Sequence, residues 1–185
     1  MKQNTIMAGG ITHLTDARFF AAYAADYLGF CFDPQSPNYI SPAQALAIKG
    51  WVTGPEIVAE FAHQDADNVR EIIRFLEPSA VMVTAADWPQ LHEVIAEAGL
   101  PAIVRFGEEE VPAPVQGNIA CYLFTDTSEA PPGFAPGECM FTVTEAFDTM
   151  HVPPGTAIYI SGSPEMETGI KSYDALGDWL EKMTG

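Results

Sequence analysis

Basic residues are the scarcest feature of this chain: eight Lys and Arg stand against 25 Asp and Glu, a formal net charge of −17 over 185 residues. So few cations exclude a nucleic-acid surface, because phosphate backbones need clustered Lys and Arg. The negative field also weakens the long-range approach of any anionic metabolite. Cysteine is scarce too. Cys31, Cys121 and Cys139 fall in strand-like runs without paired spacing, which is the pattern of buried reduced thiols and not of disulfides or a metal site. His13, His63, His92 and His151 are scattered and lack His-x-x-His or His-Glu spacing, so neither a metal nor a cofactor is expected. No apolar run is long enough to span a bilayer, and no charged segment followed by an apolar one opens the chain. These features predict a soluble cytoplasmic protein that makes no membrane contact.

What is present is a core. Hydrophobic residues make up 48% of the chain, enough for one compact domain over residues 1–185. Strand-like runs fall near Thr5–Gly9, Tyr27–Phe32, Glu56–Phe61, Ala80–Val83 and Ala102–Phe106. Helix candidates lie between them, at His13–Ala24, Pro42–Lys49, Ala66–Leu76 and Trp88–Ala98. Val69, Ile72, Ile73 and Leu76 repeat at i, i+3, i+4, i+7, as do Leu91, Val94, Ile95 and Ala98. Asp65 and Asp87 are predicted N-caps, with Pro89 tolerable in the first turn.

After Phe106 three more strand-like runs follow, Ile119–Thr125, Cys139–Thr144 and Ala157–Ser161. The segments joining them carry seven prolines, Pro112 to Pro154, and no helical period. A last amphipathic helix places Leu176, Trp179, Leu180 and Met183 on one face. Eight strands and about five helices fit an α/β fold, a (β/α)8 TIM barrel trimmed so that helices five to seven are shortened or replaced by loops. An open doubly wound sheet of seven strands is the alternative on periodicity alone. A barrel strand without its helix leaves an apolar outer face bare. Either the Pro-rich loops lie across it or a second copy docks there, and a homodimer through this helix-poor side is the expectation.

Two motifs narrow the reading. Met7-Ala8-Gly9-Gly10-Ile11-Thr12 and Phe30-Cys31-Phe32-Asp33-Pro34-Gln35-Ser36-Pro37-Asn38-Tyr39-Ile40-Ser41 each end an apolar run. Each resembles a signature of the phosphoribosylanthranilate isomerase family, Lys-Ile-Cys-Gly-Ile-Thr and Phe-x-Phe-x-Pro-x-Ser-Pro-Arg-Tyr-Ile-Ser. Ser161-Gly162, with Gly169-Ile170-Lys171 and a terminal helix, resembles the family's eighth strand and phosphate loop. The resemblance implies a tryptophan-pathway barrel whose enzyme performs an Amadori rearrangement on a substrate bearing a phosphate and a carboxylate. It implies a cysteine base in the first motif and an aspartate acid ending strand six, on opposite sides of the substrate.

In this chain Gly9 stands at the position of that cysteine and Asn38 at that of the arginine. Asp126, after Tyr122-Leu123-Phe124-Thr125, is either the acid or the cap of a turn with Thr127 and Ser128. Thr84 lies at the end of strand four, where the family reads Gln-Leu-His-Gly. Thr127 to Pro132 replaces a glycine-rich loop, and Thr144-Glu145 replaces a Gly-Gly pair. Phosphate is held in such barrels by backbone N–H groups of glycine turns and a short helix N-terminus, so bulky and acidic residues there remove the close approach. Of the cations, Arg105 and Lys171 are the two placed for the barrel's C-terminal face. Glu108-Glu109-Glu110 follows Arg105, so that arginine serves either an anionic ligand or a local ion pair. Cys31 reads as a packed thiol, and Asp33, Glu165 and Glu167 as a solvated acidic rim.

Three functions are compatible with these residues. The chain is a non-catalytic binding or regulatory paralogue, a barrel repurposed for another small molecule, or an active isomerase with a relocated general base. A small-molecule ligand is expected at the C-terminal barrel face, met by Asn38, Thr84, Arg105, Ser161 and Gly162.

Overall fold

The computed structural model describes residues 4–107, 110–125, 129–143, 156–161 and 174–184. Eight parallel strands close on themselves in chain order: β1 (Thr5–Gly9), β2 (Tyr27–Cys31), β3 (Glu56–Phe61), β4 (Ala80–Thr84), β5 (Ala102–Phe106), β6 (Ile119–Phe124), β7 (Cys139–Val143) and β8 (Ala157–Ser161). Closure comes from β8 pairing with β1, Met7 opposite Tyr159 and Gly9 opposite Ser161. The open-sheet alternative is thereby removed.

Four helices cover the first half: α1 (Leu14–Ala22), α2 (Pro42–Lys49), α3 (Ala66–Leu76) and α4 (Trp88–Glu97). The last, α5 (Asp174–Thr184), follows β8 and buries Leu176, Trp179 and Leu180. Local chemistry explains their limits. Ser41 accepts the Gln44 N–H and Gln44 reaches back to the Ser41 N–H, a reciprocal cap at the start of α2. Asp65 caps α3 by accepting from Asn68 N–H at 2.8 Å. At the other end of α3, Lys49 donates to the carbonyls of Leu76 and Glu77 at 2.7 and 2.9 Å, where a cation complements the helix dipole.

Asp87 corrects the sequence-based expectation. Its backbone is helical and its side chain caps no N–H of α4. The carboxylate instead accepts from the Thr84 hydroxyl at 2.7 Å, the His63 N–H at 3.1 Å and the Gln90 amide at 3.1 Å. Tertiary partners across the strand ends thus outcompete the local cap.

Between β5 and β6 the described residues hold no helix, and between β6 and β7 only the short 3-10 turn Pro136–Glu138. The segment expected to replace the seventh helix lies outside the described residues. Phe134, from the loop before β7, covers the bare side. Its ring lies edge-on to Tyr122, Phe124 and Phe106 at centroid separations of 4.8, 5.2 and 6.0 Å. Phe106, Tyr122, Phe124 and Phe134 are all buried. The Pro-rich loop, one of the two covers expected for this face, supplies a cover for these rings.

Alternation along the strands divides the side chains between two cores. Outward positions pack under the helices and loops, while Met7, Val58, Ala80, Met82, Ile103, Leu123, Met140 and Tyr159 fill the barrel interior. β6 carries one extra residue against β5, since Ala102 faces Ile119 but Ile103 faces Cys121. Among the described residues no helix is long and apolar enough to cross a membrane.

Candidate functional site

The C-terminal ends of barrel strands carry the loops that differ most from one barrel to another, and there the interior turns polar. Continuing the inward alternation upward from the apolar layer reaches Gly9 on β1, Gly29 and Cys31 on β2, and Glu60 on β3. It also reaches Thr84 on β4, Arg105 on β5, Thr142 on β7 and Ser161 on β8. Glu60 and Tyr159 organise this layer, and neither follows from the motifs.

Two strand glycines make room for them. A Cβ on Gly9 would collide with the Tyr159 ring, which lies across that position. A Cβ on Gly29 would collide with Oε1 of Glu60 and come within 2.9 Å of Met7 Cε. Glu60 Oε1 accepts the Gly10 N–H at 3.1 Å, and the Tyr159 hydroxyl is hydrogen-bonded to the same carboxyl. Gly10 has φ +63°, and a Cβ there would lie 2.8 Å from Asn38 Nδ2, so both the conformation and the contact require glycine. Four separated pieces of chain, at residues 9–10, 29, 60 and 159, therefore form one interlocked unit.

Burial dominates the electrostatics. It pushes the Glu60 carboxyl up to about 7, although the Gly10 N–H, Arg105 and the Tyr159 hydroxyl all favour its ionised form. Burial and the Glu60 charge together hold the Tyr159 phenol well above its ordinary range. The Cys31 thiol is likewise raised, first by burial, against hydrogen bonds from Ser36 and Asp33 that pull the other way. It is a thiol and not a thiolate nucleophile. Burial sends Cys121 up to about 12.

Above Glu60 lies a cavity of about 50 Å³ bounded by Cys31, Asp33, Ser36, Met82 and Arg105. Its rim is held by hydrogen bonds between successive loops. Asp33 pairs with His63 at 3.2 Å, His63 N–H reaches Asp87, and the Gln64 amide donates to the Phe32 carbonyl at 3.1 Å. The Thr84 hydroxyl is committed to Asp87 within this network. Asn38 packs on the Gly10 turn, its N–H donating to Ser36 Oγ. Arg105 faces the cavity, and Ser161 is exposed at the end of β8. Asp126 and Gly162 lie outside the described residues. Sequence reasoning passed over Glu60 and Tyr159, although a carboxylate inside the apolar run Glu56–Phe61 and glycines inside two strands were visible signals.

A closed parallel barrel with its polar layer at the C-terminal mouth defines the molecule as a (β/α)8 barrel. No protein-family model matches the chain. The N-(5'-phosphoribosyl)anthranilate isomerase of Thermotoga maritima is 33% identical over 91 residues, 48% of this chain and 43% of that one. That of Stenotrophomonas maltophilia R551-3 is 27% identical over 151 residues, 79% of this chain and 66% of that one. Against these relatives the chain spans from less than half to about two thirds of their length. Among solved structures, the phosphoribosyl anthranilate isomerase from Thermus thermophilus superposes with a TM-score of 0.74 at 21% identity, covering 97% of this chain and 98% of that one. The Thermotoga maritima enzyme gives 0.70 at 19%, with the same coverage. The chain is therefore similar to phosphoribosylanthranilate isomerases in part of its sequence and shares their barrel fold.

Proposed function

We propose that this chain is a phosphoribosylanthranilate isomerase-type barrel, cytoplasmic and derived from tryptophan biosynthesis, that has lost the isomerase chemistry and acts as a non-catalytic binding or regulatory relative. The observation that carries the reading is Tyr159. Its ring lies where any side chain on residue 9 would project, so the position of the family's base is filled as well as empty of a nucleophile. A proton abstraction that must be made in the transition state loses orders of magnitude without its base. The same reading keeps Asp126 as a remnant of the acid and Asn38, Thr84, Arg105, Ser161 and Gly162 as contacts for a ligand at the mouth. One solved relative from Thermotoga maritima is described as dimeric, and association of this chain as a homodimer belongs to the regulatory form of the proposal.

The test is a fluorescence assay of phosphoribosylanthranilate turnover by the purified protein, with Asp126→Asn alongside. Turnover at background in both is the expected result. Turnover in the parent that collapses in the variant would overturn the proposal in favour of an active isomerase with a relocated base. The repurposed-barrel reading has its own support in Glu60, a buried carboxyl facing a cavity that also holds an arginine.

A further inference from the structure

Glu60 has no part in the loss of isomerase chemistry and is costly to keep. A carboxyl on an inward strand position, 5% exposed, is a group that a merely structural barrel replaces with an aliphatic residue. Here two glycines and a tyrosine are arranged around it. The cavity over it has one cation on its wall, Arg105, and the hydroxyl of Ser36. The Asp33 carboxylate on the rim is already engaged by the Gln35 N–H at 2.9 Å and by His63. Beside Tyr159, Thr142 Oγ1 is buried with no hydrogen-bond partner among the described residues.

We propose that the cavity over Glu60 binds a compact monocarboxylate, its anionic oxygens on Arg105 and one of them accepting a hydrogen bond from Glu60 in its neutral form. A ligand cation would meet the Arg105 guanidinium at close range in a site too small to hydrate both. A ligand anion is matched by Arg105 and finds a donor in protonated Glu60. The volume, about 50 Å³, admits a few non-hydrogen atoms. The inference goes beyond the loss of isomerase activity and stands or falls separately from it.

Binding of this kind takes up a proton. The groups facing Glu60 are the Gly10 N–H after β1, Cys31 and Asp33 at the end of β2, Arg105 on β5 and Tyr159 on β8. Met82 on β4 contributes no charge. Of these, Cys31 and Tyr159 are raised and stay neutral near neutrality, while burial places the Glu60 carboxyl at about 7. A bound carboxylate adds negative charge beside it and favours its protonated form. Affinity therefore falls as pH rises, by about tenfold between one unit below and one unit above that value.

The Gly10 amide, which donates to Glu60, is the reporter. In amide NMR spectra of the full chain its shift should titrate with a midpoint near 7, and acetate at about 100 mM should move that midpoint upward. In Glu60→Gln the Gly10 shift should be flat, with acetate still bound and its affinity no longer dependent on pH. In Arg105→Gln the midpoint should cease to respond to acetate. A midpoint unmoved or lowered by acetate, or a pH-dependent acetate affinity surviving in Glu60→Gln, would overturn the proposal. The wild-type titration decides the matter even if a variant fails to fold. The turnover assay is independent of it, so either reading can fail alone.

Discussion

The two halves of this barrel solve one problem in different ways. Around β1 to β4 the outer strand faces are sealed by amphipathic helices such as α3, which buries Val69, Ile72, Ile73 and Leu76 in a single stripe. Around β5 and β6 the same kind of face is sealed by Phe134 on a proline-rich loop, set edge-on against three strand aromatics. A helix spreads its cover over many side chains and supplies its own backbone hydrogen bonds. A loop concentrates its cover in one ring and leaves its backbone to water. The helical half should therefore tolerate single losses better than the loop half does.

That contrast is easiest to break at Phe134. Phe134→Ala should cost about 3–4 kcal/mol, as buried Phe truncations do, and should make the protein associate, because the rings of Phe106, Tyr122 and Phe124 would be bared. Urea unfolding with light scattering on the same samples measures both. A cost under about 1 kcal/mol would mean that the loop merely drapes over the face.

The barrel interior offers a second contrast, between its apolar middle and its polar mouth. Gly9→Ala places a methyl group into the Tyr159 ring and should cost about 2–3 kcal/mol, at the upper end of the overpacking range. Combining it with Tyr159→Ala should recover part of that loss. Additive costs in the double-mutant cycle would show that the two residues do not touch.

Glu60 has the opposite sign. Its folded value near 7 lies above the ordinary 4.5, so between those values the native state binds more protons than the unfolded chain. Stability then falls as pH rises from about 4.5 to 7 and is level beyond. Glu60→Gln should stabilise the protein at pH 8 by on the order of 2 kcal/mol and leave it nearly unchanged at pH 4. Thermal unfolding at the two pH values checks this, and a variant equally stabilised at both would point to packing instead of charge. The smallest effect is on the helical side. Asp65→Ala removes the α3 cap and should cost about 1 kcal/mol, visible as a shift in urea midpoint at constant slope.

How far the sequence reached depends on the range of the interaction. The bounds of β1, β3, β5 and β8 coincide with the apolar runs, as do those of α2 and α3, because alternation and the i, i+3, i+4 stripe are local. The proline-rich stretch reads correctly as a loop between β5 and β6 for the same reason. Asp87 misleads because its strongest partners, Thr84 and the His63 N–H, come from a turn and a neighbouring loop and not from α4.

By itself the sequence determined the strand and helix order, the lack of an α-helix among the described residues between β5 and β7, and the absence of a side chain at residue 9, since each is written in consecutive residues. Only the tertiary structure decided what occupies that empty place. Gly9 and Tyr159 are 150 positions apart in chain order, and they meet because β8 returns to pair with β1 and close the barrel. The displacement of the Glu60 carboxyl was decided the same way, because desolvation depends on the strands and loops that enclose a group, and no stretch of sequence around it records them.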